Sequence, residues 1–350
     1  MNIYTKDGWL DAPHIAQIAE RNGINFIIII GMRQIGKTYN VLKYVIDEDI
    51  RFMFTRRVKT ELEMLEKNVN SPFEKIYPNK IIFSKESEYT AKIERIDNTP
   101  EGDVLTRIGM GAALSTIGNI RGFSAMIGDK VITDWIIDEF IPEEQLFKVR
   151  NEKDAFLNAH TTINGNRELD GLPCLRTWLL ANSNNLNSGI LEALNISKEV
   201  ERMSLRGEES RILKDRGIMI LLPESKQIIE KRKKLGGLYK AIGGTESKFA
   251  KMAYENEFAY NDFSDVKGEP MREYNPYLTI GRITIHLHKN QKRLYVTDKV
   301  RAKARYELAD TDSGVNQFNR KFSDLRTAFL NGRMYFQDMH VKNIFLSYLK

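Results

Sequence analysis

The apolar residues of positions 1–223 fall into short continuous runs instead of a strict alternation. The three clearest runs are Phe26–Ile30, Val131–Ile137 and Cys174–Ala181. Runs of this length are typical of strands in a parallel sheet, where helices cover both faces. The segments between them have the polar and apolar spacing of helices. The pattern therefore predicts an α/β domain with a mainly parallel sheet.

Shorter and less regular apolar patterns predict the remaining helices and strands of this domain. They predict helices at Pro13–Arg21, Lys37–Ile46 and Lys59–Asn68, and strands at Arg51–Thr55, Ile81–Phe83, Tyr89–Ile93 and Val104–Ile108.

The amino-acid composition of the sequence changes after Pro223. Residues 224–265 are polar and basic, and glycine pairs interrupt them, so we predict a linker or lid that contains a helix at 247–260. Residues 266–350 return to alternating strands and then helices, which predicts a small α+β domain. Its predicted elements are strands at Tyr277–His288 and Arg293–Thr297 and helices at Val315–Leu330 and Asp338–Lys350.

Composition narrows the class of protein. With 42% apolar residues in 350, the chain has enough material for a sizeable core. The single cysteine, Cys174, cannot form an intramolecular disulfide, which favours a reducing cytosol. Neither a signal peptide nor a membrane span is expected, because the longest aliphatic run, Phe26–Ile30, is too short. The net charge of +6 indicates an anionic partner only where the charge is concentrated.

A phosphate-binding motif follows the first apolar strand. Residues 31–38, GMRQIGKT, fit the pattern G-x-x-x-x-G-K-[ST], with a strand before them and a helix after them. Gly31 and Gly36 allow a tight turn whose N–H groups point at phosphate oxygens. Lys37 should reach the β and γ phosphates, and the Thr38 hydroxyl should bind Mg²⁺. The alternative is a glycine-rich turn that binds nothing.

Two acids follow the second apolar strand. Asp138 is expected at the carboxyl end of that strand, where it would hold the Mg²⁺ ion, and Glu139 would act as the general base for water. Adjacent acids after a strand also occur as ordinary helix N-caps. In a chain with a phosphate loop, the catalytic interpretation is favoured.

The third apolar strand leads into Asn182-Ser183-Asn184-Asn185. If this strand lies between the other two, one of these polar groups could sense the γ phosphate; a plain turn is an equal alternative. A GTPase would carry Asn-Lys-x-Asp after such a strand, and this chain lacks it there. ATP is therefore the expected nucleotide.

Hydrolysis also needs positive charge on the transferred phosphate. Arg33 lies within the phosphate loop, whereas Arg121 and Arg167 lie in glycine- and asparagine-rich loops near the predicted site. These three arginines are the candidates, although most arginines are solvated surface residues.

Together these motifs resemble the DNA-packaging ATPases of tailed phages, and most closely the small motors of phi-29-like podoviruses, which are relatives of the large terminase subunit. The resemblance rests on GMRQIGKT, FTRRVKTEL (54–62), STIGNIRG (115–122), WIIDEF (135–140) and LLANSN (179–184). It is specific over about residues 20–190 and vague beyond them.

The resemblance implies an additional-strand, catalytic-glutamate (ASCE) P-loop ATPase. It implies a homo-oligomeric ring, with a pentamer expected, at the portal of a procapsid, where it pumps double-stranded DNA. The implied roles are Walker A for Lys37 and Thr38, Walker B for Asp138 and Glu139, and coupling for Ser183 and Asn184. Arg167 matches the trans-acting finger most nearly, and Arg121 matches a second basic residue that acts across subunits.

The resemblance also implies partners and a location. Besides the DNA, they are the portal or connector protein and, as an open question, a structural packaging RNA, with no membrane partner. The implied location is the cytoplasm of the infected bacterium, with transient attachment to the portal and absence from the mature virion.

The second domain is expected to resemble an RNase-H-like nuclease without being active. Nucleases of terminases hold two metals, and the first carboxylate is on the first strand; the predicted strand Tyr277–His288 contains no acid. His286 and His288 share one face of it, which would permit a metal, but phosphate contact is favoured.

Basic charge is concentrated in the second domain. Eight lysines and arginines and a single acid, Asp298, lie within residues 282–305. Such a concentration is typical of binding to a nucleic-acid backbone. The candidate contacts are Arg282, Lys289, Lys292, Arg293, Lys299, Arg301, Lys303 and Arg305.

The sequence leaves two other functions open. One is a DNA helicase or repair ATPase, although no helicase motif set appears beyond the Walker pair. The other is a nucleic-acid-binding assembly protein with a slow nucleotide switch.

Overall fold

The structure is a computed structural model that describes residues 1–66, 71–120, 126–142, 151–183, 188–235, 263–300 and 303–349. The chain divides into two compact units. The first comprises residues 1–196 and 202–259, and the second comprises residues 197–201 and 260–350. The predicted helix at 247–260 lies outside the described residues.

The described helices and strands up to residue 235 are as follows. The helices are α1 Ala12–Arg21, α2 Lys37–Asp47, α3 Lys59–Glu66, α4 Pro72–Ile76, α5 Glu152–Asn164, α6 Gly189–Ala193, α7 Ser197–Arg206 and α8 Lys226–Leu235. The strands are β1 Phe26–Gly31, β2 Phe52–Arg56, β3 Ile81–Lys85, β4 Thr90–Thr99, β5 Gly102–Ala113, β6 Met126–Ile127, β7 Lys130–Val131, β8 Asp134–Asp138, β9 Arg176–Asn182, β10 Ser210–Leu213 and β11 Ile218–Leu221. Short 3-10 turns lie at Leu114–Ile120 and Lys214–Arg216.

The first unit is built on a nine-stranded sheet with the order β10-β11-β1-β9-β8-β2-β5-β4-β3. The pairs from β11 to β5 are all parallel, and β10, β4 and β3 add antiparallel edges. The predicted α/β class with a mainly parallel sheet is therefore confirmed. The strand β9 lies between β1 and β8, so the third apolar run is inserted between the other two.

Both faces of this sheet are covered by apolar packing. On one face, Ile27 and Trp178 contact a core that includes Val41 of α2. On the other face, the Trp135 ring stacks on Phe156 of α5 with their centroids 5.6 Å apart. Alternate residues of the near-continuous apolar strands thus serve opposite cores, as the run pattern predicted.

In its described residues, the second unit contains a five-stranded sheet, three helices of its own and the first half of α7. Its strands are β12 Tyr274–Ile280, β13 Ile283–His288, β14 Leu294–Thr297, β15 Tyr306–Leu308 and β16 Met334–Phe336, in the order β15-β12-β13-β14-β16. Its helices are α9 Asp312–Lys321, α10 Ser323–Leu330 and α11 Met339–Tyr348, and a 3-10 turn lies at Met271–Glu273. Phe318, Phe336 and Phe345 are centred in its apolar core.

Three predictions of elements need correction. The segment Val315–Leu330 is not one helix but parts of two, α9 and α10, which are separated at Phe322. The segment Tyr277–His288 is not one strand but parts of two, β12 and β13, which reverse direction at Gly281 and Arg282. Gly281 has a φ of 51°, which favours glycine and allows the tight turn. The predicted linker also begins with a regular helix, α8, because Ile228 and Ile229 within its polar sequence bury apolar surface.

In the part of the chain that the structure describes, no helix is both long enough and apolar enough to cross a membrane.

Candidate functional site

Four adjacent strands end at one edge of the large sheet and bring polar side chains to a common cleft. Their order is β1, β9, β8 and β2, so Lys37, Asn182, Asp138 and Arg56 lie side by side although they are distant in sequence. The cleft has a volume of about 360 Å³. Parallel α/β sheets place ligands at this carboxyl edge.

The loop 31–38 wraps the start of α2. Gly36 caps that helix with a φ of 87°. A Cβ atom at this position would lie 2.3 Å from Nδ2 of the Asn40 side chain. Gln34 also has a positive φ, of 60°. The helix N-terminus and the turned backbone give the loop N–H donors and positive dipole, which is the arrangement that binds phosphate.

Lys37 is buried in this loop and makes three hydrogen bonds. Its Nζ donates to the carbonyls of Gly31 and Met32 at 2.9 and 2.8 Å and to Oδ1 of Asn182 at 3.1 Å. Burial lowers the pKa of Lys37 to about 7, against the opposing charges of Asp138 and Glu139. The ammonium group is therefore poorly solvated and suited to an anionic ligand.

Thr38 and Asp138 meet directly in the cleft. The Thr38 hydroxyl donates to Oδ1 of Asp138 at 2.7 Å. Hydroxyl and carboxylate oxygens are ligands that Mg²⁺ accepts, and it normally retains waters beside one or two protein groups. The pair therefore fits the predicted metal position.

Arg56 is a site residue that sequence reasoning missed. Its guanidinium contacts Oδ2 of Asp138 at 3.1 Å and Oε2 of Glu139 at 2.7 Å. Burial alone would lower the pKa of Arg56, but the charges of Asp138 and Glu139 raise it above the ordinary value. The sequence feature that could have identified Arg56 as a site residue is its position at the end of strand β2, in the segment FTRR.

Glu139 follows the buried strand β8 and is half exposed on the cleft. Its φ of 57° lies in the left-handed region, which is strained for a residue with a side chain. Such strain persists where surrounding contacts fix it and is common in active sites. Here the contact with Arg56 helps to hold the carboxylate at the rim.

The charges that line the cleft favour an anion. Four cationic side chains and two acidic ones contribute, which gives a net charge of +2. The cations are Arg33, Lys37, Arg56 and Lys75, and the acids are Asp138 and Glu139. A polyanion with an associated cation matches this lining.

The other predicted site residues have different positions. Ser183 is fully buried, and its N–H donates to the Gly31 carbonyl at 3.3 Å, beside the loop. Arg167 is buried and donates to the carbonyl of Ile132, which precedes β8. That end of the sheet is opposite to Lys37, so the structure does not bring Arg167 to this cleft. Asn184 and Arg121 lie outside the described residues.

The described basic residues of the second unit do not form one continuous patch. The turn between β13 and β14 contains Lys289, Lys292 and Arg293. At the other end of this hairpin, Arg282 precedes β13 and Lys299 follows β14. The two ends are roughly 20 Å apart at the usual rise per residue. Lys303 and Arg305 are exposed before the edge strand β15, and Arg301 lies outside the described residues.

The two histidines have local partners instead of a shared ligand. His286 is buried with its Nε2 3.1 Å from the Thr297 hydroxyl, and His288 faces Glu273 at 3.4 Å. Over the described ranges, no group of three or more His, Cys, Asp or Glu residues is placed to hold a metal ion.

A scan of protein-family models and a search of curated proteins give no match. Among solved structures, the Phi-28 gp11 DNA packaging motor is similar, with 16% identity, 95% of each chain covered and a TM-score of 0.57. A chain of the bacteriophage Phi-29 viral genome packaging motor assembly is 17% identical and has a TM-score of 0.63, with 99% of this chain and 98% of that chain covered. Identities this low establish the fold alone. The chain thus has, along nearly its whole length, the fold of the phage DNA packaging motors to which its motifs pointed.

Proposed function

We propose that the chain is an ATP-hydrolysing motor that moves double-stranded DNA into a phage procapsid. The observation that carries the proposal is the convergence of Lys37, Thr38, Asp138 and Glu139 in one cleft. It occurs in a chain that shares the fold of packaging motors along nearly its whole length. On this proposal, the first unit is an ASCE P-loop ATPase domain, with β9 as the additional strand.

The residues have distinct roles in ATP binding. Lys37 and the N–H groups of loop 31–38 hold the β and γ phosphates, and Arg33 adds positive charge at the cleft. Thr38 and Asp138 would hold Mg²⁺, which supplies charge neutralisation at the phosphate oxygens when bound. These two oxygen donors suit that ion because they already lie within hydrogen-bonding distance of each other.

Hydrolysis needs a base and a sensor of the γ phosphate. Glu139 lies at the rim of the cleft, where it can orient a water molecule and accept its proton. Asn182 accepts a hydrogen bond from Lys37 and lines the cleft, and Ser183 and Asn184 follow it in the sequence. Loss of the γ phosphate would change the contact between Asn182 and Lys37. That change would then be transmitted to strand β9, which ends at Asn182.

The remaining assignments follow the resemblance. Arg121 and Arg167 are proposed as residues that act on a neighbouring subunit's ATP; for Arg167 this requires exposure of a guanidinium that is buried within its own chain. The proposed assembly is a ring of five subunits on the portal protein, with a packaging RNA as a further candidate partner. It works in the cytoplasm of the infected cell and leaves before the virion matures.

The second unit is proposed to grip nucleic acid without cutting it. To cut nucleic acid as an RNase-H-like nuclease, it would need a carboxylate on its first strand to bind metal. That strand, β12, contains no acidic residue. Its exposed basic residues suit a phosphate backbone.

The test is ATP hydrolysis by the full chain alone, with double-stranded DNA, and with DNA plus procapsids. A packaging motor should respond to both additions and should protect DNA from nuclease only with procapsids and ATP. A helicase or repair ATPase would respond to DNA alone and would separate strands. A nucleotide switch would bind ATP but hydrolyse it slowly under all three conditions.

A further inference from the structure

The helix α8 packs against the outer side of the phosphate loop. Ile228 and Ile229 form a small buried cluster with Met32 and Ile35 of the loop. All four side chains are almost completely buried. The loop therefore has an apolar support that lies almost 200 residues away in the sequence.

One side chain of α8 binds the loop backbone directly. Arg232 donates from Nη1 to the Arg33 carbonyl at 2.7 Å and from Nη2 to the Gln34 carbonyl at 2.9 Å. Its Nη2 also contacts Oε1 of Gln34 at 3.0 Å. A planar guanidinium can satisfy these acceptors together, which a lysine ammonium on a flexible stem does less well.

These contacts fix the direction of two peptide groups. In a planar trans peptide, the carbonyl and the following N–H point in opposite directions. When Arg232 holds the carbonyls of Arg33 and Gln34, the N–H groups of Gln34 and Ile35 must point away from α8. Gln34 also has a φ of 60°, which is strained for a non-glycine residue, and the contacts with Arg232 help to hold it.

We propose that Arg232 is a positioning residue for nucleotide binding, because it turns the N–H groups of Gln34 and Ile35 toward the phosphate. The inference rests on the proposed ATP site but assigns a new role to a residue outside that motif. The coupling is reciprocal, so a phosphate bound in the loop stabilises the contact between the loop and α8.

The test compares R232Q and R232K in the full chain with the matched control K234Q, which removes an exposed cation from the same helix. R232Q should raise the KM for ATP about tenfold or more, the effect of losing a charge-assisted hydrogen bond, and should change kcat by less than about threefold. R232K should recover part of the loss, and K234Q should behave like the wild type. An unchanged KM in a folded R232Q protein would overturn the proposal.

A second measurement uses the wild-type chain and does not depend on how the variants fold. Hydrogen exchange of the backbone amides of α8 should slow when Mg·ATP binds. Unchanged exchange in α8 while the loop amides become protected would also overturn the coupling. Absence of ATP binding by the wild type would instead refute the proposed function, so the two failures are distinguishable.

Discussion

The hydroxyl of Thr38 donates a 2.7 Å hydrogen bond to Oδ1 of Asp138, 100 positions further along the chain. The two residues belong to α2 and β8, and strand β9 lies between β8 and the strand that precedes α2. The contact therefore spans two strand positions of the sheet. It joins the loop 31–38 to the acid at the end of β8, which makes these two residues the proposed Mg²⁺ ligands.

We expect Lys37 and Glu139 to separate binding from hydrolysis. K37A should weaken ATP binding by about 10- to 100-fold, because it removes a charged donor from the phosphates. E139Q should keep the affinity within about threefold and lower kcat by about 10²- to 10⁴-fold, because it removes only the base. Equilibrium binding of ATP and single-turnover hydrolysis measure the two effects. Equal ATP affinity in K37A and the wild type would contradict the site.

Arg56 should control the rate through the position of Glu139. R56A removes the 2.7 Å contact that holds this carboxylate at the rim of the cleft. We expect kcat to fall at least about tenfold, with a smaller change in KM, since the contact is to the base. R56K should recover only part of the rate, because one ammonium cannot bind both carboxylates in the same geometry. A loss confined to KM would instead mean that Arg56 binds phosphate.

ATP binding should take up protons above neutral pH. The pKa of Lys37 is lowered to about 7 by burial, so at pH 8 much of this residue is neutral before ATP binds. The phosphates favour the ammonium form, which must then gain a proton, whereas at pH 6 it already holds one. Calorimetry at pH 8 in buffers of different ionisation enthalpy should show uptake that approaches one proton and is much smaller at pH 6. Equal proton uptake at pH 8 and pH 6 would contradict the link between ATP binding and protonation of Lys37.

The sequence predicted those parts of the site that are local in the chain. Gly31, Gly36, Lys37 and Thr38 lie within eight consecutive residues, so their spacing alone was enough to predict a phosphate-binding loop. The acids after an apolar strand were also predictable, because strand ends collect at one edge of a parallel sheet.

Arg56 and Arg232 were missed because their positions depend on contacts between distant segments, whereas the missed reversal at Gly281 is local. Arg56 joins the site only because β2 pairs with β8, and strand pairing is not encoded in either segment alone. Arg232 lies in a polar segment whose helix is stabilised by burial of two isoleucines against the loop. The reversal at Gly281 was missed because glycine and arginine between apolar residues interrupt the alternation only briefly.

The buried pair of Arg57 and Glu152 should stabilise the first unit. Arg57 donates from Nε to Oε1 of Glu152 at 2.9 Å, and the N–H of Gly189 donates to Oε2 at 3.0 Å. R57M would leave a buried carboxylate without its cation, which typically costs about 3–5 kcal/mol. Urea unfolding of R57M should show this decrease in the free energy of unfolding, and the double variant R57M/E152L should regain part of it. The exposed change K85M, at the end of the edge strand β3, is the control and should cost less than about 0.5 kcal/mol.

The two ends of the β13–β14 hairpin should differ in their contribution to nucleic-acid binding. The turn end carries Lys289, Lys292 and Arg293 within five residues, whereas the described cations at the other end are Arg282 and Lys299. Each contacted phosphate contributes about 0.9 to the slope of log affinity against log salt, because bound counterions are released. The denser turn end should therefore account for more of the salt dependence.

The measurement compares two variants of the full chain on duplexes of random sequence between low and physiological salt. K289E/K292E/R293E should lower the slope by about two to three, and R282E/K299E by less than about one. Basal ATP hydrolysis should be the same in both variants, because these residues lie outside the cleft that holds Lys37. Both variants carry charge reversals at exposed positions, so the change in slope per reversed residue compares the two ends of the hairpin. If R282E/K299E lowers the slope as much as the turn variant, the duplex contacts both ends of the hairpin. If neither variant lowers it, this hairpin does not bind the backbone, and the salt dependence must come from elsewhere in the chain.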